Sequence, residues 1–237
     1  MLHFIFISRF NVSVSLSIIV PIYNEGKNLS NLTKLISDNL DMIDYEIIFV
    51  DDGSKDNTSI LISQLKRNYP IKLIQRGKKL GLSSAVITGL DFATKKFVCV
   101  MDGDLQHNPK YIPEMLDLLV ENNNSLVIGS RFIKKLKNKQ RLDSKFGTFF
   151  CKLFFHKKIE DPLSGFFMLS TQNFKEMKDK VNAIGYKILL ELIVKGQFNE
   201  IREIPIIFEE RKEGSSKLDL KTRMQFLKQL FQLFFYR

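Results

Sequence analysis

The 237-residue sequence contains few cysteines and no long apolar run. Its two cysteines, Cys99 and Cys151, are far apart and lack the spacing of metal ligands, so we expect a reducing compartment and no disulfide framework. Cys99 lies in the apolar run 97–101, which favours a buried thiol on a strand. No stretch reaches the ~18 to 20 uninterrupted apolar residues that a membrane-spanning helix requires.

Two common nucleotide-binding motifs are also missing. Neither GxxxxGK(S/T) nor GxGxxG follows the first predicted strand, so the sequence supports neither a phosphate loop nor a dinucleotide-binding fingerprint. The composition, with 44% hydrophobic and 26% charged residues, is ordinary for a globular protein and a poor fit for a disordered one. The length suits one sizeable α/β domain.

The charge balance is strongly basic. Lys and Arg total 36 against 26 Asp and Glu, which gives a net charge of +10 and favours anionic partners. A nucleic-acid-binding module would interleave aromatic residues with Lys and Arg on exposed strands. Here the aromatic residues cluster in apolar runs, so we expect phosphates or acidic headgroups as partners and no nucleic acid.

The first half of the chain alternates predicted strands with predicted helices. The apolar runs that indicate strands are 16–22, 45–50, 71–75, 97–101 and 125–128. The segments with helical apolar spacing are 27–40, 57–67, 80–94 and 109–121. This alternation predicts a mostly parallel sheet with helices on both faces, in which ligands bind at the carboxyl ends of the strands.

An acidic turn follows the fourth predicted strand. Asp102 and Asp104 flank Gly103, whose small size lets the backbone approach a ligand closely. Carboxylates are the ligands that a hard divalent cation prefers, and Gln106 adds an amide oxygen two residues later. The competing interpretation is an acidic cap for the helix near residue 109, for which Asn108 is better placed. The pattern predicts a site for Mg²⁺ or Mn²⁺.

A helix-loop-helix calcium site is excluded by position. Counted from Asp102, such a loop requires Gly at the sixth position and Glu at the twelfth, and these positions hold His107 and Pro113. A second acidic turn, Asp51 and Asp52, follows the second predicted strand. Its carboxylates can accept hydrogen bonds from a nucleoside, or belong to a turn that caps the next helix.

The second half is less regular. We predict a basic loop over 134–141, strands over 164–169 and 201–208, and a helix over 186–194. The tail, 219–237, is an amphipathic helix with a broad Phe and Leu face. That face either lies in a bilayer interface or packs on the domain. We therefore divide the chain into one α/β domain, 1–218, and a C-terminal helix, 219–237.

Eight segments together resemble the family-2 glycosyltransferases of the A-type fold, and within them the dolichyl-phosphate (polyprenyl-phosphate) mannosyltransferases. These segments are VPIYNEGKNL (20–29), VDDGSKDNT (50–58), GLSSAVITGL (81–90), VMDGDLQHNP (100–109), IGSRF (128–132), DPLSGFFMLS (161–170), GYKILLELIVKG (185–196) and RxxGxSKL (211–218). They occur in the family's order, which makes the resemblance far more specific than a lone DxD.

The resemblance implies roles for individual residues. Those implied for the nucleoside are Pro21, Tyr23, Glu25 and Asp52. Those implied for the metal and the diphosphate are Asp102, Gly103, Asp104 and Gln106, with Gly103 standing where the family often has Ala. Arg131 would lie near the transferred sugar phosphate. Arg141 and Ser144 would face the lipid phosphate, although the residues after Ser144 depart from the family's pattern. Arg211 and Lys217 would close over the phosphates. Taken alone, Arg141 and Lys217 are equally compatible with solvated surface charges.

The implied activity is an inverting transfer of mannose from GDP-mannose to a polyprenyl or dolichyl monophosphate. The implied partners are the nucleotide-sugar, the lipid acceptor and a separate membrane subunit, with peripheral contact at the cytoplasmic face of a membrane. The alternative within the same class is a polyprenyl-phosphate glucosyltransferase or a relative with another donor. A catalytically silent membrane-recruitment domain is disfavoured, because the DxDxQ pattern is intact.

Overall fold

The structure is a computed structural model, and it describes residues 14–132, 159–182, 185, 187–209 and 220–236. Within these residues, seven strands form one sheet with helices on both faces. The strands are β1 (Ser15–Ile22), β2 (Asp44–Asp51), β3 (Ile71–Gln75), β4 (Phe97–Val100), β5 (Ser125–Ser130), β6 (Phe167–Ser170) and β7 (Glu200–Pro205). The α-helices are α1 (Gly26–Asn39), α2 (Thr58–Leu65), α3 (Leu82–Asp91), α4 (Ile112–Glu121), α5 (Thr171–Met177), α6 (Ile188–Lys195) and α7 (Leu220–Phe234).

The sheet has the order β3-β2-β1-β4-β6-β5-β7. All neighbouring pairs are parallel except those of β6, which runs antiparallel to both β4 and β5. The reversal of β6 brings its first residues to the edge where the other strands end. The predicted α/β fold with a mostly parallel sheet is confirmed.

Two hydrophobic clusters cover the two faces of the sheet. Ile18 and Val20 point into one cluster, which contains the apolar faces of α1 and α4. Ile19 points into the other, which contains α3, α5 and α6. This alternation along β1 follows from the two-residue period of a strand. Cys99 is fully buried, and burial raises the pKa of its thiol, as the prediction of a buried strand thiol requires.

The C-terminal helix packs on the domain through one face. Phe226 and Leu233 are buried against Leu163 and Leu190, with Leu230 at the margin. We call Phe226, Gln229, Leu230 and Leu233 the inner face of α7. The opposite side exposes a second apolar set, which we call the outer stripe: Met224, Leu227, Phe231, Phe234 and Phe235. None of the helices in the described ranges has both the length and the apolar character needed to cross a bilayer.

Candidate active site

The loops that follow the parallel strands meet at one edge of the sheet. Ile22 of β1 pairs with Asp51 of β2, so the loops that follow these strands are neighbours. Met101 donates its N–H to the carbonyl of Ile19 at 3.1 Å, which places the acidic turn beside β1. The ends of β5 and β7 and the start of β6 reach the same edge. The predicted site residues in the described ranges therefore share one edge of the sheet.

Asn24 and Ser54 join the first two loops. The N–H of Asn24 donates to Oγ of Ser54 at 2.8 Å, and the N–H of Lys55 donates to Oδ1 of Asn24 at 2.8 Å. Asn24 adopts a φ of 55°, a left-handed conformation that Asn tolerates better than most residues. These hydrogen bonds join the two loops into one wall of the site.

Asp52 fixes a third segment to that wall. Its carboxylate accepts the N–H groups of Leu80 and Gly81, each at 2.8 Å, and lies 3.1 Å from the guanidinium of Arg76. Both charged side chains are almost fully buried. Gly53 is required beside it, because its φ is +87° and a Cβ would lie 3.0 Å from the backbone of Lys78. The role of Asp52 that the structure describes is to hold this loop, and contact with a nucleoside stays a prediction.

The other residues predicted to bind the nucleoside lie around this wall. The ammonium of Lys79 lies over the ring of Tyr23, 4.6 Å from the ring centroid. Glu25 accepts a hydrogen bond from the side-chain amide of Asn28 at 2.9 Å. Pro21 is buried at the end of β1. These contacts give the wall an aromatic face, a cation and a carboxylate.

Hydrogen bonds within the acidic turn, and others to the segment after β7, hold the turn in place. Asp104 is buried and accepts the N–H of Gln106 at 3.2 Å, while Leu105 adopts a φ of 64°. The side-chain amide of Gln106 donates to the carbonyl of Glu209 at 3.1 Å, and the N–H of Glu209 donates to the carbonyl of Gln106 at 3.0 Å. Because Nε2 of Gln106 is used in this way, Oε1 is the atom that suits a cation.

His107 packs beneath this turn. It is buried, and its ring stacks on Phe166 at 5.3 Å and meets the edge of Phe208 at 5.2 Å between centroids. The N–H of Asp102 donates to Nδ1 of His107 at 3.2 Å, so the neutral ring carries its proton on Nε2. Burial lowers the pKa of His107 to about 3, so the ring is neutral at physiological pH. The nearby charges partly cancel and belong to Asp104, Arg131, Asp161 and Lys187.

Gly165 provides space for the carboxylate of Asp102. A Cβ at this position would lie 2.7 Å from Oδ2 of Asp102 and 3.1 Å from the ring of His107. The side chain of Asp102 is 35% exposed. The carboxylate therefore faces the open side of the site, in contrast to the buried Asp104.

An ion pair with Asp161 holds Arg131 at the same edge of the sheet. Its guanidinium donates from Nε to Oδ2 of Asp161 at 2.6 Å and from Nη2 to Oδ1 at 2.7 Å. Asp161 is in turn fixed by Glu203, whose carboxylate accepts the N–H groups of Asp161 and Glu160 at 2.9 and 2.8 Å. Burial alone would lower the pKa of Arg131, but Asp161, with a contribution from Asp102, raises it. Arg131 thus carries a permanent positive charge, and its guanidinium lies 5.3 Å from the ring centroid of Phe208, which also contacts His107 beneath the acidic turn.

The predicted metal ligands suit a hard cation. Within the described residues, no group of three or more His, Cys, Asp or Glu side chains is placed to hold a metal ion. The predicted set is two carboxylates and one amide oxygen, from Asp102, Asp104 and Gln106. Such oxygens fit Mg²⁺ or Mn²⁺, which also take ligands from substrate phosphates. Gly165 makes room for the carboxylate of Asp102, one of these predicted ligands.

Four predicted site residues lie outside the described residues. These are Arg141, Ser144, Arg211 and Lys217. Their roles toward the lipid phosphate and the diphosphate remain predictions.

Three residues of the site were given no role by the sequence analysis. Asp161 and Gly165 lie in the segment DPLSGFFMLS, which was noted only for its resemblance, and Lys187 lies in GYKILLEL. The ammonium of Lys187 donates to the carbonyl of Leu163 at 2.9 Å. The signal for Asp161 was an acid next to Pro at a strand end, and its partner is 30 residues away in the chain.

The sequence profile of Glycosyl transferase family 2 matches residues 17–178, which is more than half of the chain. The chain belongs to glycosyl transferase family 2. Three dolichol-phosphate mannosyltransferases are similar to this family-2 chain. That of Pyrococcus furiosus is 38% identical over 227 residues, which cover 93% of the chain and 64% of the relative. That of Mycosarcoma maydis is 34% identical over 238 residues, covering 94% and 80%. That of Saccharomyces cerevisiae is 31% identical over 242 residues, covering 95% and 89%.

Solved structures with the same fold include glucosyl-3-phosphoglycerate synthase from Mycobacterium tuberculosis. Its complex with UDP has a TM-score of 0.67 at 17% identity and covers 93% of this chain and 79% of the synthase. Its complex with Mn²⁺, UDP and glucosyl-3-phosphoglycerate has a TM-score of 0.68 at 17% identity, covering 93% and 78%. At this identity the likeness concerns the fold alone. The predictions of a family-2 glycosyltransferase and of its A-type fold are both confirmed.

Proposed function

We propose that this family-2 chain transfers mannose from GDP-mannose to a dolichyl or polyprenyl monophosphate. The observation that carries the proposal is that Arg131 and the acidic turn lie at one edge of the sheet, joined through Phe208, whose ring contacts both the guanidinium of Arg131 and the ring of His107. A site that combines an acidic turn suited to a divalent cation with a fixed guanidinium suits a reaction between two phosphate-bearing substrates. The names of the three relatives, each at least 31% identical over more than nine-tenths of this chain, support mannose as the sugar and dolichyl phosphate as the acceptor.

A divalent metal, Mg²⁺ or Mn²⁺, belongs to the proposal. Asp102, Asp104 and Gln106 would hold it, and it would neutralise the charge that develops on the leaving nucleoside diphosphate. The solved structures of glucosyl-3-phosphoglycerate synthase support this, since that synthase was crystallised with Mn²⁺ and UDP-glucose. The wall formed by Tyr23, Lys79 and the loop that Asp52 holds would bind the nucleoside.

The acceptor requires little activation. A phosphate monoester has a second pKa of ~6, so near neutrality it is largely a dianion and already nucleophilic. The harder task is to bring this anion to an anionic donor. Arg131 contributes a positive charge whose direction Asp161 fixes, so no side chain has to reorganise as charge moves during the reaction. In a single displacement, the acceptor oxygen forms the bond to the anomeric carbon as the bond to the diphosphate breaks, which inverts the configuration.

A lipid acceptor implies contact with a membrane. The outer stripe of α7 supplies an exposed apolar surface, and the net charge of +10 favours anionic headgroups. We include in the proposal peripheral attachment at the cytoplasmic face, the division into a catalytic domain over 1–218 and an attachment helix over 219–237, and a separate membrane subunit. The buried, unpaired Cys99 fits the reducing side of the membrane.

A donor panel tests the proposed function. The purified chain is incubated with polyprenyl phosphate and with radiolabelled GDP-mannose, UDP-glucose or related nucleotide-sugars, with Mn²⁺ or with EDTA. We expect transfer from GDP-mannose to the lipid phosphate that EDTA abolishes and added Mn²⁺ restores. If UDP-glucose were the only donor from which transfer is seen, the transferred sugar would be glucose and the proposal of mannose would be wrong. Transfer that survives EDTA would contradict the metal site.

A further inference from the structure

The segment 161–165 joins the active site to the C-terminal helix. On one side, Asp161 holds Arg131, and Gly165 lies against Asp102. On the other side, the side chain of Leu163 is buried in the cluster that contains the inner face of α7. The carbonyl of the same Leu163 accepts the hydrogen bond from Lys187. A shift of this segment therefore moves groups on both sides of the site.

Lys187 is in turn held by α7. Gln229, a fully buried residue of the inner face, donates from Nε2 to the carbonyl of Lys187 at 3.2 Å and lies 3.4 Å from Oε1 of Glu191. Gly185 leaves room for this side chain, since a Cβ there would lie 3.0 Å from Oε1 of Gln229. Burying the side-chain nitrogen of Gln229 at a helix contact is costly unless it is hydrogen-bonded, so its two bonds favour one position of α7 along α6.

A buried ion pair of α6 lies at the same contact. Glu191 and Lys195 are one helical turn apart on α6, with Oε2 and Nζ separated by 2.5 Å and both side chains almost fully buried. The ammonium of Lys195 also lies 4.9 Å from the ring centroid of Tyr236, just after α7. The seat of α7 is thus specified by directional polar contacts as well as by apolar packing.

We propose that Lys187 and Gln229 are positioning residues for the active site, and that the seated α7 is part of the catalytic unit as well as a means of attachment. Through Gln229 and Lys187, the helix sets the place of the segment 161–165 and therefore the directions of Arg131 and Asp102. This inference rests on the proposed function. Misplacement of reacting groups by about 1 Å can cost on the order of a hundredfold in rate.

The test distinguishes the proposed positioning role of α7 from its role in attachment to a membrane. The variants Lys187→Met, Lys187→Arg and Gln229→Leu are compared with Lys228→Ala, an exposed position on the same helix. Transfer is measured in detergent with a short-chain polyprenyl phosphate, so that attachment to a bilayer is not required. We expect Lys187→Met and Gln229→Leu to lower kcat by about tenfold or more with the KM for GDP-mannose changed less than about threefold. Lys187→Arg should restore most of kcat, and Lys228→Ala should match the wild type.

Hydrogen exchange of the peptide that covers 161–165 gives a second measurement, which needs neither donor nor acceptor. Faster exchange there in Lys187→Met and Gln229→Leu, with far-UV circular dichroism unchanged, supports the inference. Wild-type kcat and wild-type exchange in both variants would overturn it. A wild-type protein that transfers no mannose would refute the proposed function instead, and the exchange measurement would still decide whether α7 positions this segment.

Discussion

Arg131 and Asp161 form a two-point ion pair in which each carboxylate oxygen accepts one guanidinium N–H, at 2.6 and 2.7 Å. The backbone N–H of Arg131 donates to the same carboxylate at 3.1 Å. Asp161 is fully buried, whereas the side chain of Arg131 is 17% exposed toward the site. Bidentate pairs of this kind fix direction as well as charge. Arg131 is thus a preorganised cation that cannot easily turn to follow a substrate.

We expect Asp161→Asn to lower kcat for mannosyl transfer by about tenfold to a hundredfold. The substitution keeps the shape of the side chain but removes the charge that orients Arg131. Initial rates with GDP-mannose and a polyprenyl phosphate measure the effect. Asp91→Asn, which removes one partner of the exposed pair with Lys178, is the matched control and should leave kcat unchanged. Equal rates for Asp161→Asn and the wild type would mean that Arg131 needs no positioning.

Gly165→Ala should weaken the metal site without unfolding the chain. Its methyl group would lie 2.7 Å from Oδ2 of Asp102, so the carboxylate has to move. We expect the Mn²⁺ concentration for half-maximal activity to rise by about tenfold, which corresponds to ~1.4 kcal/mol. A metal titration of the transfer rate measures this shift. A titration curve identical to that of the wild type would show that Asp102 does not bind the ion.

Asp104→Asn should abolish transfer and leave the fold intact. The carboxylate is buried, and its contact with the N–H of Gln106 survives the loss of charge, because the amide oxygen accepts the same bond. Radiolabelled transfer to a polyprenyl phosphate and a thermal unfolding curve are measured together. Wild-type turnover in this variant would remove Asp104 from the metal site.

The sequence best predicted the strands and helices that can be recognised from the spacing of apolar residues within a single segment. β3 was predicted over the same residues, 71–75, and the apolar periodicity of α1 and α4 agrees within a few residues with the structure. The strand predicted over 164–169 begins only at Phe167, because Ser164 and Gly165 form a polar turn in which Oγ of Ser164 donates to the carbonyl of Gly129. The short helix α5, over Thr171–Met177, was missed.

Sequence patterns indicated the candidate site residues that are close together in the chain. They did not indicate the contacts between residues that are far apart in the chain. The acidic turn could be found from Asp102, Asp104 and Gln106 alone, because these residues are adjacent in the chain. The partner of Arg131 could not, since it depends on β6 running antiparallel, and strand direction is decided by the packing of the whole sheet. The amphipathic pattern of residues 219–237 is compatible with packing on the domain and with membrane contact. The two faces of α7 allow both.

Low pH should remove the contribution that Glu46 makes to the stability of the fold. Glu46 lies near the start of β2, at the end of the sheet opposite the candidate active site. Burial alone would raise its pKa, but hydrogen bonds from Lys72, Ser17 and Thr94 outweigh burial and lower the pKa to about 2. A pKa below that of the unfolded chain means that Glu46 stabilises the fold fully above about pH 4.5 and loses this effect as the pH falls toward 2.

We therefore expect Glu46→Gln to be about 2 kcal/mol less stable than the wild type at pH 7, with the difference shrinking between pH 4.5 and 2. Urea unfolding at several pH values measures it. Asp44→Asn, which breaks the exposed pair with Lys95, is the control and should change stability by less than about 0.5 kcal/mol. A pH-independent difference for Glu46→Gln would contradict the lowered pKa.

The outer stripe of α7 should bind lipid bilayers. Phe231 and Leu227 are 66% and 58% exposed, and the stripe recurs at the spacing of three and four residues that defines one side of a helix. Fully burying one such side chain contributes about 1.5–3 kcal/mol, so we expect Phe231→Ser to weaken binding to phosphatidylcholine vesicles by about tenfold in a flotation assay. Phe92→Ser removes an equally apolar side chain, 58% exposed, that follows α3, and should leave flotation unchanged. An equal loss of vesicle binding in both variants would indicate non-specific adsorption. Unchanged vesicle binding in both variants would mean that the outer stripe of α7 does not bind the bilayer. Because the inner face is already buried against Leu163, flotation and turnover in detergent should respond to different residues of the same helix.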